Sequence, residues 1–325
     1  MHPAFSVIFL TTLIGAAQGL FLALFTVQSY AAFGMLPAPQ TGSFYAPGSL
    51  IALVLAGGGL IASFFHLGHP ERAWRAASQW RTSWLSREVI ILPAFMGVVF
   101  LYGAAHWTGM RPALFSLASG QVIDITHLLG VAGTLLAFAL FIATGMIYAC
   151  IKFLREWASP LTIANYVLLG GASGFTLAAA FAANSAPDLV GFLAGWAIII
   201  TLFGAVSRLA SLYRNARLRP TSTLQTAIGI KHPHIVQKTQ GFMGGAFNTR
   251  EFFHGRTRET LIAVRWFFLI ATFPLPVLLL AIGMHGSAGV LALAFAVQYA
   301  GLLAERWFFF AQANHPQNLY YQSIA

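Results

Sequence analysis

The chain has 325 residues, of which 58% are hydrophobic and only 8% charged, with a mean hydropathy of +0.74; this composition excludes an ordinary soluble domain. A formal net charge of +10 would suit a nucleic-acid binder on a polar surface, but here the basic residues fall between long apolar runs. The lone cysteine, Cys150, excludes disulfides and cysteine-ligated iron–sulfur clusters within the chain.

A bilayer core takes about 20 mainly apolar residues of helix. Eight runs reach or approach that length: 5–32, 47–66, 89–106, 124–151, 160–182, 189–207, 260–283 and 287–309. The first has no Lys or Arg before it and is too long for a signal-peptide core, so it reads as a retained span. Such long, unalternating runs satisfy their backbone in lipid as helices. The expected fold is therefore all-α: a polytopic integral membrane protein of eight transmembrane helices in bundles, one membrane-embedded domain over 1–325, with no soluble domain. Small-residue faces at 56–63 (AGGGLIAS) and 170–180 (GGASGFTLAAA) let helices approach closely. Pro93, Pro274 and Pro276 are expected to kink the third and seventh spans.

With alternate connections on opposite sides, connections 2–3, 4–5 and 6–7 and the C-terminal end hold seventeen of the eighteen Lys and Arg residues, and the other side holds only Arg111. The positive-inside rule puts the termini and the basic connections in the cytoplasm of a bacterial inner membrane. A docking face for an acidic partner would give the same asymmetry.

Between the second and third runs stands FHLGHPERAWRAASQWRTSWLSREV, residues 65–89. His66 closes the apolar run LIASFF, where an imidazole can exchange a proton near neutral pH; an interfacial histidine bonded to backbone or lipid headgroup is the plainer alternative. Pro70 and Glu71 mark the start of a short interfacial helix. On it Trp80 would share a face with Trp84 at i, i+4, as in an aromatic belt. Ser86 is the expected N-cap of the third span, with Glu88 in its first turn, where the helix dipole alone would favour a carboxylate. Arg72, Arg75 and Arg87 close by in sequence strengthen a chemical role.

His106 and His127, on the opposite side, could form one axial pair in a haem-bearing cytochrome b-type anchor, though structural roles fit them better. His69 lies outside the membrane, and His285 sits in a short turn. A transporter is disfavoured because the spans are almost free of midplane charge. The long polar connection 208–259 contains Gly241, Gly244 and Gly245, whose spacing fits neither phosphate-loop pattern; it reads as a partner-docking element.

HLGHPERAWRAASQWRTSWLSRE resembles the signature of the membrane anchor of the dimethyl sulfoxide reductase family. MHPAFSVIFLTTLIGAAQGL at the start and ERWFFFAQANHPQNLYY near the end are similar to that family's termini. The resemblance covers nearly the whole chain. It implies an oxidoreductase assembly of three subunits: a molybdopterin catalytic subunit, an iron–sulfur electron-transfer subunit, and this anchor, which exchanges electrons with a membrane quinone (menaquinone or ubiquinone) and holds no haem or cluster itself. By the resemblance His66 is the quinone ligand and Glu88 a proton carrier. Arg72, Arg75, Trp74, Trp80, Ser83, Trp84 and Arg87 are candidates for the quinone pocket, and no metal is expected. The 208–259 connection is similar to that of anchors serving sulfite-oxidising molybdoenzymes, in which electrons run from sulfite to quinone. A dimethyl sulfoxide reductase-type complex that oxidises menaquinol is the alternative.

Overall fold

The computed structural model describes residues 1–36, 41–116, 122–238, 247–285 and 287–321. Gly241, Gly244 and Gly245 of the glycine-bearing loop lie outside them. Among the described residues, eight helical stretches are long and apolar enough to cross a bilayer. In chain order the spans are α1 (Phe5–Ala32), α2 (Thr41–Phe64), α3 (Trp84–Thr108), α4 (Ile125–Ala149), α5 (Pro160–Ser185) and α6 (Val190–Ala216). Two short helices follow, α7 (Leu224–Ile228) and α8 (Phe247–Glu251), and then α9 (Arg258–Thr272), α10 (Pro274–Gly283) and α11 (Ala288–Ala311). The seventh span is α9 and α10 together, broken at Phe273 (φ −115°, ψ −80°) just before Pro274, as the prolines lead one to expect. α3, by contrast, runs uninterrupted through Pro93. A small antiparallel pair, β1 (Ala113–Ser116) and β2 (Val122–Asp124), joins α3 to α4.

α1 and α5 form the seam of the molecule. α1 packs on α2, α4, α5 and α11, and α3 bridges α2 to α4, which closes one four-helix bundle. α5 packs on α6 and α11, and α10 and α9 complete the second group. The close crossing of the two central helices follows from glycines: a Cβ at Gly19 or Gly174 would strike the partner helix's backbone, as small residues at membrane helix contacts allow. Phe21, Leu24, Phe95, Tyr102, Leu140 and Phe175 fill the core next to that seam. Val54, Phe100, Leu135, Phe203 and Val206 point outward, toward where lipid would lie.

α6 continues to Ala216, past the apolar run that ends near 207 in the sequence. Its last turns therefore carry Arg208 as a helical, fully buried residue.

Candidate functional site

The segment between α2 and α3 forms a surface cap. α2 ends at Phe64, and His66 sits in the following turn, with its backbone N–H donating to Ser63 O at 3.4 Å. His66 is exposed as a residue, yet partial burial of its ring lowers its pKa below the ordinary 6.5. Pro70–Gln79 is the expected short helix, in 3₁₀ form, with no buried residue. It ends before Trp80, and α3 begins at Trp84, so these two indoles belong to different elements and do not share one helical face.

The cap's arginines are used locally. Arg75 stands 5.6 Å from the Trp74 ring, and Arg81 5.3 Å from Trp80. Arg87 lies 4.1 Å over Trp84 while Nε and Nη2 donate to Trp80 O (3.0 Å) and Arg81 O (2.8 Å). Those last bonds tie the end of the 3₁₀ helix to the first turn of α3. Arg72 faces Glu71 at 3.6 Å, and Glu71 also meets His69 at 3.1 Å. Trp74 and Trp80 are largely exposed, as interfacial aromatics are.

Ser83, rather than Ser86, is the N-cap of α3: its Oγ accepts from Ser86 N at 3.3 Å. Capping one turn earlier moves Glu88 out of the first turn and onto the inward face of the helix, where it is 7% exposed. Thr144 of α4 donates its hydroxyl to Glu88 Oε1 in a very short hydrogen bond. Beside this pair is an internal cavity with about 20 Å³ open to the centre of a water-sized sphere, lined from α1 by Thr11, Thr12, Gly15 and Gln18, from α5 by Tyr166 and Ser173, and from α11 by Arg306. That is room for one water among polar partners. The expected company of Glu88 is thus replaced. Arg72, Arg75 and Arg87 are engaged within the cap, and the buried carboxyl faces hydroxyls and Arg306. His66 is not part of the cavity wall; it follows Phe65, which closes an apolar groove of about 310 Å³ between α1 and α2, lined by Ser6, Phe9, Gly58, Ile61 and Ala62.

Next to the cavity is a buried charge cluster that the sequence pattern did not single out. Arg208 Nε meets Glu305 Oε1 at 2.7 Å, and Glu305 Oε2 lies 3.4 Å from Arg306 Nη1. All three side chains are buried. Arg306 also lies 3.8 Å over the Tyr166 ring, and Arg208 5.4 Å over Phe268. The available signal is in SRLAS (207–211) and LLAERWFFF (302–310), charges inside otherwise apolar turns. Standing only a few residues from helix ends, they look like flanks of the basic side. The spans are therefore not free of buried charge.

At the opposite end, Asp124 caps α4. Thr126 donates to Asp124 Oδ1 from its N–H (2.9 Å) and its hydroxyl (2.5 Å), and His127 Nδ1 lies 3.0 Å from the same oxygen. Burial pushes the Asp124 carboxyl up, but the bonds from Thr126 and His127 outweigh it and hold its pKa below the ordinary 3.8. Gln28 joins this cap to Tyr102 through bonds of 2.6 and 2.8 Å. His106 stacks on Tyr45 at 4.5 Å and meets the Tyr102 ring edge-on at 4.6 Å. The two histidines that could have made an axial pair are thus built into an aromatic and capping network. Among the described residues no group of three or more His, Cys, Asp or Glu side chains is placed to hold a metal ion.

These features define a multi-pass helical membrane protein whose basic residues and buried ion pairs gather toward one end, with an exposed arginine–tryptophan cap above them. The family model for the DMSO reductase anchor subunit matches residues 1–319, and the chain belongs to that family. It is also 59% identical over 326 residues, covering 100% of both chains, to the C subunit of the sulfite dehydrogenase of Allochromatium vinosum. The chain is accordingly a membrane anchor within an oxidoreductase complex.

Proposed function

We propose that this chain is the quinone-reactive anchor of a sulfite-oxidising complex, passing electrons from an iron–sulfur subunit to the membrane quinone pool. The full-length identity to the anchor of a sulfite dehydrogenase supports the substrate. The family's own name favours the second reading, a complex that reduces dimethyl sulfoxide with menaquinol. In either direction the partners are an iron–sulfur electron-transfer subunit and a molybdopterin catalytic subunit. Both would dock on the basic face, which by the positive-inside rule lies in the cytoplasm of the bacterial inner membrane, together with the termini.

The observation that carries the site is the apolar groove of about 310 Å³ that ends one residue before His66. Its walls suit a flat ring and a lipid-like tail, so the residues present fit a quinone. When bound, a quinone supplies a centre that exchanges two electrons and two protons. His66, neutral at pH 7 because burial lowers its pKa, donates a hydrogen bond from one ring nitrogen and accepts a proton at the other. Glu88 holds and releases a proton at its carboxyl, with Thr144 fixing Oε1. Arg87 and Ser83 set the turn that aims α3 and its Glu88 inward. Arg72, Arg75, Trp74, Trp80 and Trp84 form the polar and aromatic rim through which a head group would pass.

The test is His66→Ala in the assembled complex, assayed with sulfite and either a quinone or an artificial dye as acceptor. Quinone-linked turnover falls while dye-linked turnover and membrane attachment hold. Unchanged quinone-linked turnover removes His66 from the mechanism. Replacing sulfite with dimethyl sulfoxide plus a menaquinol analogue separates the two directions.

A further inference from the structure

The buried cluster of Arg208, Glu305 and Arg306 has no part in holding a quinone or docking a partner, yet it borders the site. Arg306 lines the same water-sized cavity as Glu88. The cavity's other polar walls are uncharged: Thr11, Thr12 and Gln18 from α1, Thr144 from α4, Tyr166 and Ser173 from α5. Arg306 is thus the charged group with which Glu88 shares this space. It is held from two directions, by Glu305 Oε2 at 3.4 Å and by the Tyr166 ring at 3.8 Å. Glu305 in turn gives its other oxygen to Arg208 at 2.7 Å.

Charge counting makes the arrangement purposeful. Two arginines and one glutamate leave one positive charge unmatched in a region with all three side chains buried, and a buried unmatched charge is costly. A carboxylate at Glu88 brings the group of four to zero. A single water in the cavity, with hydroxyls around it, links the two across a short gap.

We propose that Arg306 is a positioning residue for proton transfer at Glu88, supplying the counter-charge that the Glu88 carboxylate meets across a cavity-bound water, with Glu305, Arg208 and Tyr166 holding it in place. The inference rests on the reading of Glu88 as a proton carrier. When Glu88 gives up its proton to water, the carboxylate left behind faces Arg306; when a proton returns from water, the same oxygen takes it and the charge on Arg306 is again unmatched. No electron moves in this step.

The experiment compares the assembled wild-type complex with Glu88→Gln, Arg306→Gln and Arg306→Lys by infrared difference spectroscopy during a pH titration. The carbonyl stretch of protonated Glu88 is identified by its loss in Glu88→Gln. In Arg306→Gln that band persists to higher pH, its midpoint moved by about one unit, and quinone-linked kcat falls about tenfold with KM unchanged; Arg306→Lys restores both. Arg306→Gln leaves the neutral Arg208–Glu305 pair intact, which favours assembly. Should it not assemble, Tyr166→Leu removes the ring beneath the guanidinium without changing any charge and moves the midpoint in the same sense. A band midpoint identical to wild type in the variant that assembles overturns the proposal. If instead Glu88→Gln leaves quinone-linked turnover unchanged, the proton-carrier reading fails on its own, and the band still reports the counter-charge.

Discussion

Replacing the members of the buried ion cluster one at a time gives an order of damage that follows from the distances. At 2.7 Å the Arg208–Glu305 attraction amounts to about 6 kcal/mol at an effective dielectric constant of about 20, and the 3.4 Å contact of Glu305 with Arg306 to about 5 kcal/mol. Much of each offsets the desolvation of the partners, so the net cost of removing one partner from such a pair is about 3–5 kcal/mol. Glu305→Gln leaves two like charges without their shared carboxylate and belongs at the upper end. Arg208→Met leaves Glu305 with Arg306 and belongs near the lower end. Arg306→Met leaves the tighter pair intact and loses the contact with Tyr166, which is worth about 1–2 kcal/mol. The assay is reversible unfolding of the anchor in purified complex, in mixed micelles titrated with a denaturing detergent and followed by tryptophan fluorescence. The double variant Arg208→Met/Glu305→Gln costs less than the sum of its parts by about 2–3 kcal/mol. Equal costs for the three single variants, or strict additivity in the double, would refute the assignment of these groups to one coupled cluster.

Three other outcomes follow from the geometry. Asp124→Ala removes the α4 cap with its bonds to Thr126 and costs about 1–2 kcal/mol in the same unfolding assay; because the folded carboxyl has a pKa below its unfolded value, its contribution is present above about pH 4 and is lost as pH falls through the lower folded value, so wild type and Asp124→Asn converge in acid. Gly174→Leu drives a side chain into the α1 backbone around Gly19 and costs about 1–3 kcal/mol or more, seen as a lower yield of assembled complex on size-exclusion chromatography. His66 keeps its neutral imidazole below the ordinary 6.5, so quinone-linked turnover stays level from about pH 8 to pH 6.5, and the acid limb that disappears in His66→Gln lies below that; a limb centred above 7 would contradict the burial of the ring.

The fold was legible because lipid allows so few solutions. Apolar runs of bilayer length had to be helices, and their number and order are those of the structure. The α1–α5 seam was legible only in part: GGASGFTLAAA announced a close approach, but its partner is Gly15 and Gly19 of α1, a pairing that no local pattern encodes. The end of α6 was hidden for a related reason. Hydropathy falls at Arg208, and a window sees a span ending there, whereas the helix continues because Glu305 of α11, nearly a hundred residues away, meets the guanidinium inside the bundle.

The candidate site shows the same limit at closer range. Sequence proximity gathers His66, Glu88 and the arginines into one cluster, and the structure divides them at the N-cap. Had Ser86 capped α3, Glu88 would have stayed in the first turn, among the basic residues of the cap. With Ser83 as the cap, the helix has already turned once before Glu88, and the carboxyl faces Thr144 and the cavity while Arg87 folds back on Trp84. A shift of three residues in one capping bond thus exchanges a solvated partner for a buried one. That exchange gives the two residues of interest different tasks: His66 stands at the lipid-facing groove, and Glu88 lies among hydroxyls and a fixed guanidinium. Below that level the polar walls end. Gln18 turns its amide to Ala137 O, and Phe21, Leu24, Phe95 and Leu140 pack without exposure before the Gln28–Tyr102 bond begins the network of the other end. Among the described residues no hydrogen bond between side chains crosses that apolar layer, so a proton handled at Glu88 exchanges with the end of the molecule from which it came.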